Sequence, residues 1–151
     1  MLHVALWEPE IPPNTGNVAR LCAATGAALH LIGRLGFRLD DRALRRAGLD
    51  YWPHVDVRRH VTFADFEAAL GGARLYCFSA RAARPYTGVR YQDGDCLLFG
   101  GETHGLPADI LSSHAERTYG IPMPAGKMRS LNLATAVGIV LYEALRQLPA
   151  W

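Results

Sequence analysis

The chain has 151 residues, half of them hydrophobic and a fifth charged, with a formal net charge of +2. Those totals suit one soluble domain, residues 1–151, with a substantial core. They exclude a bulk basic signal for nucleic acid, and no apolar run approaches membrane-spanning length.

Of 16 basic residues only Lys127 is a lysine. Codon composition is the plainer cause, although arginine is also the better bidentate phosphate ligand. Cys22, Cys77 and Cys96 are scattered without a CxxC spacing, which points to reduced core thiols in a cytoplasmic protein. The opening MLHVALWEPE has no basic n-region or cleavage signal.

Leu2 to Trp7 reads as a strand, and Glu8 to Pro13 as a stiff, extended connection. Asn14 is the candidate N-cap of a helix running to Thr25, with Val18, Leu21, Cys22 and Thr25 at amphipathic spacing and Gly26 ending it. Ala28 to Ile32 is a second strand, followed by the loop Gly33 to Gly36. Asp40-Asp41 opens a short helix through Ala47, closed by Gly48. A strand is expected at Val55 to Val57, a helix at Phe63 to Leu70 and a strand at Arg74 to Phe78. Ser79 and a basic loop, Arg81 to Arg90, lead through a turn at Tyr91 to Asp95 into the strand Cys96 to Phe99. Thr118 to Ile121 is another short strand, Pro122 to Ser130 a loop, and Asn132 to Gln147 the longest helix. Strands alternating with helices predict an α/β fold, a mostly parallel sheet with helices on both faces.

Three glycine- and polar-rich segments follow strands: Ile11 to Arg20, Phe99 to Pro107 and Ile121 to Asn132. Loops at the carboxyl ends of parallel strands are where α/β sheets bind ligands. In CLLFGGETHGLP, Cys96 to Pro107, two glycines end a buried strand and allow close backbone approach to a ligand, while Pro107 and Asp109 suit the first turn of a helix. The six histidines share no metal-ligand spacing, GxSxG is missing, and His104 reads as a solvated loop residue.

Glu8-Pro-Glu-Ile-Pro-Pro-Asn-Thr-Gly-Asn-Val-Ala-Arg20, Phe99-Gly-Gly-Glu-Thr-His-Gly-Leu-Pro107 and Ile121-Pro-Met with Arg129-Ser-Leu-Asn-Leu133 resemble, in order and spacing, the three motifs of SPOUT-superfamily RNA ribose methyltransferases. Essentially the whole chain is covered. The lack of an extra RNA-binding domain, and the string RRAGLDYW from Arg45 to Trp52, resemble the minimal branch that methylates the wobble nucleotide of tRNA. The resemblance implies a C-terminal trefoil knot, which ordinary rules of chain connection would exclude.

It further implies 2′-O-methylation of cytidine or modified uridine at tRNA position 34, with S-adenosylmethionine as methyl donor and no metal. The cofactor would be held by Phe78, Ser79, Gly100, Glu102, Gly105, Ile121, Met123, Ser130 and Leu131. Asn14, Asn17, Arg20 and Asn132 would face the RNA, with Arg20 catalytic. A guanidinium is a poor general base but a good bidentate clamp for a phosphate that takes the proton. One departure is visible: the loop Pro124 to Met128 lacks the acid the pattern leads one to expect before Arg129-Ser130. Other RNA positions, in tRNA or rRNA, and a non-catalytic RNA-binding dimer are the alternative readings.

The resemblance also implies a homodimer. The last helix is apolar nearly all round, more than one sheet face can cover, which points to a second subunit as the outer cover. Two copies would let the basic segments Arg42 to Arg46 and Arg81 to Arg90 line one groove for tRNA.

Overall fold

A computed structural model describes residues 1–39, 42, 46 and 52–149. Among these residues six strands form one parallel sheet: β1 His3–Trp7, β2 Ala28–Ile32, β3 Val57–His60, β4 Leu75–Phe78, β5 Cys96–Phe99 and β6 Thr118–Tyr119, in the order β3-β2-β1-β5-β4-β6. Helices with described bounds are α1 Pro12–Thr25, α2 Phe63–Leu70, α3 Ala108–Ser113 and α4 Leu133–Gln147. The short helix expected between Asp40 and Ala47 lies largely outside the described residues, though Arg42 and Arg46 are exposed.

Alternate residues of each central strand serve opposite faces. Val4, Leu6, Leu97 and Phe99 meet Val18 and Cys22 of α1 and Val137, Val140 and Leu141 of α4. Ala5, Cys77, Cys96 and Leu98 meet Phe66 of α2 and Ile110 of α3. Burial on both faces explains why these strands read as continuous apolar runs. All three cysteines are free and buried in this core. Among the described residues no helix is long and apolar enough to cross a membrane.

Several boundaries differ from the sequence reading. The first helix starts at Pro12 with Ile11 as cap, not at Asn14. Proline at the first helical positions forgoes an N–H that has no helical partner there, so Pro12-Pro13 belongs to the helix rather than to an extended connection. The third strand lies two residues later than expected and carries Arg58, Arg59 and His60. It is an edge strand bonded only to β2, so it need not be apolar. The last strand stops at Tyr119 because Gly120 turns to other partners. Its N–H donates to Arg84 O at 2.7 Å, and its carbonyl accepts from Tyr86 N–H at 2.8 Å. A Cβ there would lie 2.6 Å from Ala82 O and 3.0 Å from Ser79 O. Residues 79–86 thus pack closely against the chain leaving β6.

The longest helix also needs correction. Val137, Val140, Leu141 and Ala144 are fully buried within the chain, so its own sheet and helix α1 cover most of it. Helix α1 lies close enough that a Cβ on Gly138 would sit 3.6 Å from Leu21. What remains uncovered is a strip with Thr135 and Tyr142 exposed and Ile139 half-buried.

A row of imidazoles crosses β1, β2 and β3. His3 Nδ1 lies 2.9 Å from His30 Nε2, and His30 Nδ1 lies 2.9 Å from His60 Nε2. Three different strands supply the row, so linear spacing could not reveal it. Phe66 meets both the His30 and His60 rings edge-on. Burial, reinforced by His3, His60 and Arg58 and only partly offset by Asp56, pushes His30 down to about 3. Its folded pKa therefore lies below its unfolded value of about 6.5, and the unfolded state binds the proton more readily. The stabilisation is full above pH 6.5 and is lost as pH falls from there toward 3. Thermal unfolding should show Tm dropping across this window, and less steeply in His30→Leu. Equal slopes in the two proteins would remove His30 as the cause.

Candidate active site at the strand ends

Strand β1 ends in a turn at Glu8, whose φ of 45° is left-handed and strained for a residue with a side chain. The turn is held by Glu8 N–H donating to Ile32 O at 2.9 Å, and by Arg34 N–H donating to the Glu8 carboxylate at 2.9 Å. It sends Glu8 to Ile11 across the loop that follows β5. There Gly101 approaches so closely that a Cβ would lie 2.6 Å from Glu8 O.

The two segments then exchange carboxylates. Glu102 accepts the N–H of Glu10 and the N–H of Ile11, both at 2.8 Å. Glu10 in return accepts the N–H of Thr103 at 3.1 Å and its hydroxyl at 2.9 Å. Glu102 also accepts Asn14 Nδ2 at 3.2 Å. Asn14 Oδ1 accepts Asn132 Nδ2 at 3.0 Å, and Asn132 Oδ1 accepts Thr135 N–H at 3.2 Å, capping α4. Three expected site residues from three distant segments are therefore joined directly: Asn14, Glu102 and Asn132.

Glu102 is turned toward Glu10, Ile11 and Asn14, which differs from its expected place among the cofactor contacts. Sequence reading missed Glu10 and Thr103 altogether. Their only signal was position, one in each of two motifs that the fold lays side by side.

Gly100 also behaves differently from expectation. A Cβ there would lie 2.1 Å from the carbonyl carbon of Gly105 and 2.3 Å from Leu106 N. The close approach is between the two arms of the loop itself, closed by Gly105 N–H donating to Gly101 O at 2.9 Å. A branched side chain at Gly100 would break this turn rather than merely fill a ligand's space. Gly105, at φ 64°, has nothing within 4 Å of its missing Cβ.

Beside this loop lie the ends of β4 and β6. Phe78 and Phe99 stack with ring centroids 5.0 Å apart and are buried. Of the other residues expected at the cofactor, Ser79, Ile121 and Met123 are half-buried, and Gly105, Ser130 and Leu131 are exposed. None of these side chains is charged. These side chains offer apolar surface and two hydroxyls.

Arg20 is exposed on α1, six residues beyond Asn14 or about 9 Å along the axis. Asn17 lies between them, exposed, donating Nδ2 to Pro13 O at 3.0 Å. His104 is exposed, as expected. In the basic loop, Arg84 donates to Ala115 O and lies 4.9 Å over the Tyr119 ring, so it braces the fold.

The chain matches the SpoU rRNA Methylase family over residues 1–142. It is 51% identical to the tRNA (cytidine(34)-2′-O)-methyltransferase of Escherichia coli K12, over 98% of this chain and 94% of that protein. A solved structure concerned with the 2-OH methylation of C/U34 on tRNA superposes with a TM-score of 0.93 at 56% identity, covering 97% of this chain and 95% of that one. An AdoMet-bound rRNA methyltransferase from Sinorhizobium meliloti superposes with a TM-score of 0.85 at 30% identity, covering 96% of this chain and 56% of that one.

The loop geometry yields a stability test. Gly100→Ala forces a Cβ into backbone and should lower Tm by on the order of 5 °C or more. Gly105→Ala meets open space and pays only for its left-handed backbone, roughly 1–2 kcal/mol. Calorimetric Tm values that rank the two variants the other way would show that the turn does not depend on Gly100.

Proposed function

The chain belongs to the SpoU rRNA Methylase family, and we propose that it methylates the ribose 2′-hydroxyl of the wobble nucleotide, cytidine or uridine 34, in tRNA, with S-adenosylmethionine as methyl donor. The observation that carries this reading is relationship along nearly the full length of both chains, with 98% of this one and 94% of the Escherichia coli enzyme aligned. One domain spanning the chain performs the reaction.

The pocket residues fit the methyl donor. Phe78 and Phe99 give an apolar floor, and Ile121, Met123 and Leu131 give apolar walls for an adenosyl group. Ser79, Ser130 and the backbone of the Gly100–Gly105 loop offer hydrogen-bonding groups around it. When bound, the sulfonium supplies an already activated methyl group. The protein's remaining task is to align a ribose hydroxyl in line with that methyl and let its proton leave. Positioning of this kind can supply about 7–11 kcal/mol.

Arg20 suits the second half of that task. Its planar fork matches a nucleotide phosphate, and a phosphate so held can accept the hydroxyl proton directly or through water. Asn17 stands one helical step before it on the same exposed face. Arg42 and Arg46 add positive charge for the RNA.

The functional unit is a homodimer through α4. The strip of Thr135, Ile139 and Tyr142 is what the chain's own core leaves uncovered, and Tyr142 is 41% exposed. Because Val140 is buried within one chain, a charge there would test folding, not assembly.

Mapping ribose methylation on tRNA from cells with and without this protein tests the function directly. Loss confined to nucleotide 34 is expected, and loss at another tRNA or rRNA position would redirect the reading. In the purified enzyme, Arg20→Ala should leave affinity for S-adenosylhomocysteine within about twofold while turnover falls at least ~100-fold. Arg20→Lys should recover little, since an ammonium lacks the fork. Near-normal turnover in Arg20→Ala would remove Arg20 from the chemistry. For assembly, Ile139→Glu should sediment as a folded monomer with methyl transfer lost, and a fully active monomer would overturn the dimer.

A further inference from the structure

The network around Glu102 has a direction. A carboxylate only accepts hydrogen bonds, so Asn14 must present its NH2 to Glu102. Asn14 Oδ1 is then left to accept, and the donor that reaches it is the NH2 of Asn132. Asn132 in turn must present Oδ1 to the N–H of Thr135. One negative charge thus fixes the orientation of two side-chain amides and the first turn of α4. The same charge sits at the amino end of α1, a 14-residue helix, and satisfies the last two backbone donors before Pro12-Pro13. Asn14 is 8% exposed, so an amide turned the wrong way would leave a nearly buried group unpaired.

We propose that Glu102 is a positioning residue, acting through Asn14 and Asn132, that sets the register between the helix bearing Arg20 and the Ser130-Leu131 end of the methyl-donor site. Both of its oxygens are engaged by the protein itself, so it holds the two halves of the site together instead of touching the donor. Glu10 and Thr103 close the same junction from the other side.

This inference rests on the methyltransferase reading for its activity arm but not for its spectroscopic arm. Glu102→Gln and Asn14→Asp are each made, then combined. In Glu102→Gln, turnover at saturating donor should fall on the order of tenfold or more, while affinity for S-adenosylhomocysteine stays within about threefold. Asn14→Asp sets two carboxylates against each other and should also lose turnover. The combined variant again sets a donor against an acceptor, with the amide now on the β5 loop and the carboxylate now on α1. It should recover roughly threefold or more over the worse single variant, the scale of coupling inside a hydrogen-bonded network.

Nitrogen-edited NMR supplies the readout that needs no activity. The Asn132 side-chain NH2 resonance should move in Glu102→Gln, although Asn132 lies one residue beyond Glu102's own partners. If the wild-type protein transfers no methyl to tRNA, the functional reading fails while the NMR arm still judges the relay. Tighter dependence on the donor alone, with affinity for S-adenosylhomocysteine lost by about tenfold or more and turnover intact at saturation, would make Glu102 a donor ligand. An unmoved Asn132 resonance, or single losses that simply multiply in the pair, would overturn the relay. Should Glu102→Gln fail to fold, Asn14→Asp alone carries both readouts, with the same overturning results.

Discussion

A carboxylate meeting two backbone N–H groups 92 and 91 positions away is the constraint on which the site depends. The sheet alone delivers only strand ends. Strands β1 and β5 are neighbours, paired from His3↔Cys96 to Leu6↔Phe99, so their following loops must emerge side by side. Neighbouring loops still have many relative positions. The exchange of carboxylates between Glu102 and Glu10 removes that freedom, because each acid satisfies donors on the other's segment. Charge-assisted bonds of this kind are roughly twice as strong as neutral ones. Their value here is geometric more than energetic, since α1 begins at the junction and Arg20 is carried on it.

Glycine plays a consistent part at this end of the sheet. Gly100, Gly101 and Gly120 each stand where a Cβ would strike backbone at 2.1, 2.6 and 2.6 Å. The partner is a different stretch of chain each time: the loop's returning arm, the turn after β1, and the wrap formed by residues 79–86. Backbone packed this tightly can hold a pocket wall without any side chain reaching across it. The glycine-rich character of the loops is therefore a property of the scaffold.

The fold was largely legible because parallel, doubly buried strands are written as apolar runs, as in Cys96–Phe99. β3 was misplaced for the complementary reason: an edge strand such as Val57–His60 needs no such run. Pro12-Pro13 misled because the same pair suits an extended connector and a helical first turn, and only the fold decides between them. Within the site, Asn14, Glu102 and Asn132 could be picked out by motif, but not their bonds to one another. Hydrogen bonds to backbone leave no trace in side-chain pattern, so the role of Glu102 was hidden. The histidine row was hidden likewise, since it is assembled from β1, β2 and β3. The chemistry came from the resemblance of three motifs, which composition and periodicity could not supply, and the relatives agree with it.

Helix α4 shows how an apolar composition can overstate the surface a helix leaves uncovered. Its apolar residues run around most of the helix, yet Val137, Val140, Leu141 and Ala144 are consumed by the chain's own core. The strip through Ile139 and Tyr142 is what that core leaves uncovered. The helix is 15 residues long, about 22 Å, and its first turn is capped by Asn132, which is tied to Asn14. In the proposed homodimer, a second subunit on that strip would pass any tilt at the interface along this rod to its cap. Assembly and site geometry would then share one element, and the amide pair Asn14–Asn132 would be the joint at which an interface displacement first reaches the helix that carries Arg20.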